Sequence, residues 1–175
     1  MLTYILVAVV AIIAVALTFA AFKPDTFRIQ RSISINATPE KISALLEDFH
    51  HWGSWSPWEK LDPELSRQFS GAASGKGAIY EWEGNKKVGK GRMEIIDISK
   101  NSQILIKLDF FAPFEAHNTA EFTMQQKDGA TDFTWAMYGP ASYPIKVMHL
   151  FMNMDKMVGK DFEAGLVSLK ALAEK

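Results

Sequence analysis

The run from Tyr143 to Lys175 constrains this chain most, because its apolar residues fall on one side of a helix and must cover something else. Val147, Phe151, Met154, Val158, Phe162, Leu169 and Leu172 recur at steps of three, four or seven, while Lys156, Lys160, Glu163, Lys170 and Glu174 take the opposite side. The spacing predicts one long amphipathic helix. Gly165 interrupts the stripe, and a glycine inside a helix costs about 0.5 to 1 kcal/mol relative to alanine. Two readings of it stand: close packing against a sheet residue, or a wall that leaves room for a ligand.

The surface such a helix could cover is written in the middle of the chain. Between Leu65 and Gly139, turn signals at Gly71 to Gly77, Gly84-Asn85, Lys100-Asn101 and Asp128-Gly129 separate about six short runs of alternating character. One face collects Tyr80, Trp82, Met93, Ile95, Ile106, Leu108, Phe110, Ala120, Phe122, Phe133, Trp135 and Met137. The other collects Glu81, Glu83, Lys90, Arg92, Glu94, Lys107, Asp109, Glu121 and Thr134. This is the pattern of an antiparallel sheet with one solvated face, so the aromatic face points to the terminal helix. An earlier strand, with Phe27, Ile29, Ile33 and Ile35 alternating against polar residues, belongs to the same sheet. Arg31 breaks its apolar side, either as a strand-end charge in solvent or as a polar group directed inward. Thr38-Pro39 then starts a short helix over Ile42, Leu45, Leu46 and Phe49. Trp52-Gly-Ser-Trp55-Ser-Pro-Trp58 follows, read either as packing anchors or as an aromatic rim at a pocket mouth or the bilayer headgroups. The whole is an α+β domain: strand, two short helices, an antiparallel run, one long helix.

Leu2 to Phe22 carries no charge, and a helix of that length spans roughly 31 Å at about 1.5 Å per residue, enough to cross a bilayer. We expect residues 1-23 to be a transmembrane anchor and 24-175 the folded domain. A cleaved signal peptide fits less well, since no Lys or Arg precedes the apolar run. Lys23, Arg28 and Arg31 follow the span and place the domain on the cytoplasmic side by the positive-inside tendency. The tether from Pro24 to Phe27 reaches no more than roughly 14 Å, so the domain should sit against the membrane surface.

Several chemistries are excluded. Lys and Arg total 19 against 20 for Asp and Glu, with no basic stripe, so no nucleic-acid partner is expected. The absence of cysteine removes disulfides and thiolate chemistry. His50 and His51 are adjacent, His117 and His149 isolated, and no metal-ligand spacing exists; neither metal nor cofactor is expected. Gly71-Ala-Ala-Ser-Gly-Lys-Gly77 has the wrong spacing for a phosphate loop, and no serine sits in a nucleophile elbow. Glu81 and Glu83 fall on the solvated face.

The order of elements, with Arg31-Ser-Ile-Ser-Ile-Asn-Ala-Thr-Pro-Glu40, Gly77-Ala-Ile-Tyr-Glu-Trp-Glu-Gly-Asn85 and Met152-Asn-Met-Asp-Lys-Met-Val-Gly-Lys-Asp-Phe-Glu163, resembles the START-like (SRPBCC) superfamily. Within it the chain is most similar to membrane-anchored bacterial polyketide cyclase/dehydrase-like proteins, over roughly Phe27 to Ala173. The resemblance implies a helix-grip fold, a curved antiparallel sheet wrapped around the long C-terminal helix with a cavity between them, and a hydrophobic small molecule or lipid as its ligand. No catalytic signature is shared across that superfamily. On this reading Tyr80, Trp82, Met93, Ile106, Leu108, Phe122, Trp135 and Met137 from the sheet would line the cavity, with Phe151, Met154, Val158 and Phe162 from the helix. Met148, Met152, Met154 and Met157 would add adaptable packing or simple core filling. Two further readings are a cyclase or dehydrase using Tyr80, His117 or Asn118 to polarise a carbonyl, and a non-catalytic partner of another membrane protein contacting it through the segment around Trp55.

Overall fold

A computed structural model describes all 175 residues of the chain. Helix α1 covers Leu2–Ala21, and β1 covers Thr26–Ile35. Helix α2, Pro39–Leu46, begins after Thr38 and carries Pro39 in its first turn, as the sequence predicts. Two 3-10 turns, Phe49–Ser54 and Pro57–Lys60, lead into β2 (Ser66–Gly71), β3 (Ala78–Glu83), β4 (Lys90–Ser99), β5 (Gln103–Ala112), β6 (Ala116–Lys127) and β7 (Ala130–Pro140). Helices α3 (Tyr143–Phe151) and α4 (Met154–Ala173) close the chain.

The strands form one antiparallel sheet in the order β1-β7-β6-β5-β4-β3-β2. Register shifts between Lys90 and Gly91 and between Ile95 and Asp97 mark where β4 bends, which lets the sheet curve. Since β2 to β7 are joined by hairpins, the start of β1, the end of β7 and the β3–β4 and β5–β6 connections gather at one end of the sheet. The two predicted faces are observed. Ile95, Ile106, Phe122 and Phe133 are fully buried on the concave side, and charged residues alternate with them on the convex side.

Helix α4 lies across the concave face along β1, and its attachment corrects both readings of Arg31. The guanidinium neither ends the strand in solvent nor enters the interior; it donates to Glu163 Oε1 at 2.8 Å, Asp155 Oδ1 at 3.0 Å and the Asp155 carbonyl at 2.9 Å. These bonds from Asp155 and Glu163 raise its already high pKa further. Gly159 makes the approach possible, because a Cβ there would run into the Arg31 guanidinium. Further along, Lys170 donates to the Ser34 carbonyl at 2.7 Å and the Asn36 amide to Glu174 Oε1 at 2.7 Å.

The single helix expected from Tyr143 onward is two. Met152 is extended, and Asn153 caps a fresh helix by accepting from the Lys156 amide at 2.9 Å. Apolar spacing carries across this break with little change of phase, so periodicity alone hides it. The buried stripe of α4 therefore runs through Gly159, Phe162, Gly165, Leu166, Leu169 and Ala173.

Helix α1 is long and apolar enough to cross a membrane, and of its residues only Ala20 is buried. Its last turns rest on α3, where the Tyr143 hydroxyl donates to the Leu17 carbonyl at 2.8 Å. Lys146, itself buried, pairs with Asp25 in the link between α1 and β1. Arg31 is committed to α4 and Arg28 pairs with Glu121 at 2.9 Å. Two of the three charges expected to set the orientation of the span therefore belong to the folded domain.

Candidate functional site

Between the sheet and α4 the side chains leave a cavity of about 290 Å³. Its sheet wall is Tyr80 and Trp82 from β3, Met93 from β4, Leu108 and Phe110 from β5, Ala120 from β6, and Trp135 and Met137 from β7. Strand alternation puts all of them on one face. The opposite wall is Val158, Asp161 and Phe162 from α4 with Trp52, Trp58, Glu59 and Leu65 from the connection between α2 and β2. Of the lining residues exposed to solvent, Lys87, Ala112 and Pro113 stand at the end of the sheet that carries the β3–β4 and β5–β6 connections, and Asp161 belongs to α4. That end is the mouth.

An aromatic stack decides why α4 does not fill the space. Trp135 lies flat on Phe162, ring centroids 4.2 Å apart at 6°, and Trp55 and Trp58 meet it edge-on at 5.4 and 5.5 Å. Such pairs add about 0.5 to 1.5 kcal/mol beyond burial and fix the helix at this distance from β7. A Cβ on Gly165 would lie 2.8 Å from Trp135 and 3.1 Å from Pro57. Of the two readings of Gly165, close packing is the observed one. The tryptophan segment likewise belongs to the interior: the Trp52 indole donates to the Leu46 carbonyl at 3.1 Å and Trp55 is buried, so Trp55 presents nothing to a protein partner.

Tyr80 and Glu59 on the cavity wall join Arg67 outside it in one polar cluster. The Tyr80 hydroxyl donates to Glu59 Oε1 at 2.5 Å, and Arg67 Nε donates to Glu59 Oε2 at 2.7 Å. The Glu59 side chain is only 8 % exposed. Burial and then the Glu59 carboxylate push the Tyr80 phenol well above its ordinary range, so it stays protonated. On α4, partial desolvation by the neighbouring wall raises the carboxyl of the otherwise exposed Asp161 above its ordinary value.

Of the residues expected to line a cavity, Tyr80, Trp82, Met93, Leu108, Trp135, Met137, Val158 and Phe162 do so. Four do not. Ile106 and Phe122 are fully buried in the solid core, with Phe122 packed on Trp52, Trp55, Phe133 and Trp135. Alternation sets the face a residue takes, not where along the strand the space opens. Phe151 and Met154 flank the break between α3 and α4 and lie by a separate open groove; Phe151 is 77 % exposed. Met148, Met152 and Met157 lie on the same two helix ends and none is on the cavity wall.

The carbonyl-polarising candidates separate as well. His117 projects from the convex face, where its Nδ1 is 2.8 Å from Asp109 Oδ1. Asn118 is on the concave face with its Oδ1 buried and unpartnered, off the cavity wall. Tyr80 alone of the three reaches the cavity. Glu59 and Arg67 escaped the sequence reading because Glu59 sits in a 3-10 turn that has no strand alternation. Asp161 did carry a signal, since its spacing of three from Val158 puts it on the same side of α4.

A sequence profile of the family described as polyketide cyclase / dehydrase and lipid transport matches residues 26–174. No curated protein matches the chain. Among solved structures, the chain is similar to ginseng major latex-like protein 151 from Panax ginseng, with TM-score 0.61 and 12 % identity over 87 % of this chain and 100 % of that one. It is similar to the di-domain aromatase/cyclase BexL from the BE-7585A biosynthetic pathway, with TM-score 0.61 and 12 % identity over 90 % of this chain and 53 % of that one. It is also similar to protein Ms6760 from Mycobacterium smegmatis, with TM-score 0.58 and 19 % identity over 86 % and 92 % of the two chains. At these identities the likeness is one of fold, the START-like helix-grip.

Proposed function

This chain belongs to the polyketide cyclase/dehydrase and lipid transport family, and we propose that it binds a hydrophobic small molecule or lipid in the cavity beneath α4. In this reading residues 1-23 anchor it in a membrane and 24-175 are the binding domain. The observation that carries the proposal is the incomplete filling of an apolar interior: 15 of the 20 lining residues are hydrophobic. Small-molecule sites have this character, a greasy wall with a few convergent polar groups. The size narrows the class. About 290 Å³ is just under the roughly 300 to 1,000 Å³ typical of such sites, which suits a single-chain lipid or a small polycycle better than a two-chain phospholipid. The Glu59–Tyr80 pair supplies acceptor lone pairs on a mostly apolar wall, so a ligand hydroxyl is the group that fits there.

Of the carbonyl-polarising candidates, only Tyr80 could serve a reaction at this site. Its hydroxyl is donated to Glu59 and its proton is held tightly, which favours orienting a ligand over general acid work.

The test is extraction of the detergent-purified full chain for mass spectrometry, with photo-crosslinking by a long-chain alcohol carrying a diazirine. Crosslinks should map to β3, β7 and α4, and Val158→Trp should abolish them by occupying the space. Crosslinks indifferent to Val158→Trp, with nothing extractable, would sink the proposal.

A further inference from the structure

We infer that the cavity mouth faces the lipid bilayer, and that the domain rests on it through the β5–β6 tip and the bend between α3 and α4, so that ligand passes between bilayer and cavity without crossing water. This rests on the binding function and the anchor proposed above, and it adds an orientation and a route that neither requires.

Topology supplies the first argument. The exposed lining residues Lys87, Ala112 and Pro113 stand at the end of the sheet where β1 begins, and only four residues separate the end of α1 from the start of β1. The mouth and the anchor therefore share one end of the domain. Depth supplies the second. Helix α1 has 20 residues, about 30 Å of rise, which matches the hydrocarbon core. The Tyr143 hydroxyl bonds to Leu17, four residues before the end of α1. That bond sets the start of α3 roughly 6 Å below the upper boundary, within the roughly 5 to 10 Å to which interfacial helices sink. Lys146, itself buried, pairs with the exposed Asp25 carboxylate and holds α3 to the link at that level.

Surface chemistry supplies the third argument. Outside α1, Phe69, Ile96 and Val167 are exposed singly away from this end, whereas Phe22, Phe111, Phe114, Phe151, Met152 and Met157 are exposed at it, with Phe114 74 % exposed. They belong to three separate segments that only the fold brings level with one another. A bilayer takes all three at once, and it is continuous with the surface α1 already occupies. The opposite end, at the β4–β5 turn, presents Lys100, Asn101 and Ser102.

The chain has no cysteine, so single-cysteine labelling is clean. Phe114→Cys, Phe151→Cys and Lys100→Cys each receive an environment-sensitive nitrobenzoxadiazole label, and the full chain is reconstituted in phosphatidylcholine vesicles containing doxyl-labelled phosphatidylcholine. Labels at 114 and 151 should be quenched by the spin-labelled lipid by about twofold or more and shielded from aqueous iodide, while the label at 100 behaves oppositely. Phe111→Glu with Phe114→Glu should slow crosslinking of vesicle-borne diazirine alcohol about tenfold, through the cost of bringing charge to the lipid, and leave crosslinking in detergent unchanged. Labels at 114 and 151 as open to iodide as the label at 100 would overturn the orientation even if detergent crosslinking succeeds. Crosslinking that fails in detergent as well would remove the binding function and the route together, whereas an unchanged vesicle rate in the double variant would remove the route alone.

Discussion

Tyr80→Phe removes one oxygen from a wall residue and tests whether the polar corner of the cavity is built as described. Tyr80 is 3 % exposed and donates to Glu59 at 2.5 Å, while Arg67 holds the other carboxylate oxygen at 2.7 Å. A hydrogen bond to a charged group contributes about 1.5 to 3 kcal/mol. Arg67 keeps the carboxylate partnered after the change, so the lower part of that range applies, about 1.5 to 2 kcal/mol. For a chain of this size each kcal/mol shifts the midpoint by about 2 to 4 °C, and a fall of about 3 to 8 °C is expected. The assay is thermal unfolding of the full chain in detergent, followed by tryptophan fluorescence. Its pH dependence has a definite sign. The folded phenol is raised above the unfolded value of about 10, so its contribution is complete below that pH and declines as pH rises toward the folded value. The deficit of Tyr80→Phe should thus be constant near neutrality and shrink above about pH 10. In a Glu59→Gln background the same substitution should cost clearly less. A midpoint within about 1 °C of the parent, or an equal loss in both backgrounds, would refute the Tyr80–Glu59 bond.

Four other outcomes follow from the packing and the charges. Phe122→Ala should cost about 3 to 5 kcal/mol in the same unfolding assay, because Phe122 is wholly enclosed by rings. Val158→Ala should cost under about 1 kcal/mol, because it enlarges a space already open. Gly159→Ala should displace the Arg31 guanidinium and loosen the first turns of α4, seen as faster amide exchange from Met157 to Phe162 with β3 and β4 unaffected. His117→Gln probes the convex face. The bond to Asp109 raises the His117 pKa; burial alone would raise the Asp109 carboxyl, but bonds from His117 and Lys107 more than offset it and hold that carboxyl low. The histidine's contribution is present below its unfolded pKa of about 6.5 and lost as pH rises through the folded value, and the aspartate's fails as pH falls through its own depressed pKa. The variant's midpoint deficit should be largest below about pH 6.5 while the aspartate is still ionised, shrink as pH rises through the raised histidine pKa, and shrink again in acid as the aspartate protonates; a deficit independent of pH would contradict the pairing.

Periodicity by itself determined the sheet, both of its faces, the short helix after Thr38 and the amphipathic character of the chain's end. Each of these depends on which side of one element a residue takes, and that follows from steps of two or 3.6 residues. The length and apolarity of α1 were readable for the same local reason. Residues separated along the chain met only in the tertiary structure. Arg31 could be assigned to a face but not to Asp155 and Glu163, which lie more than a hundred residues away. Glu59, in a turn without alternation, became a cavity group only because the fold lays that turn against Tyr80. Ile106 and Phe122 share a pattern with Leu108 and Trp135, yet the first two are walled in by neighbours and the latter two border open space. Whether an inward side chain meets another atom or a void is set by how far the Trp135–Phe162 stack holds α4 from the sheet, a distance between separate elements that no single stretch of residues encodes.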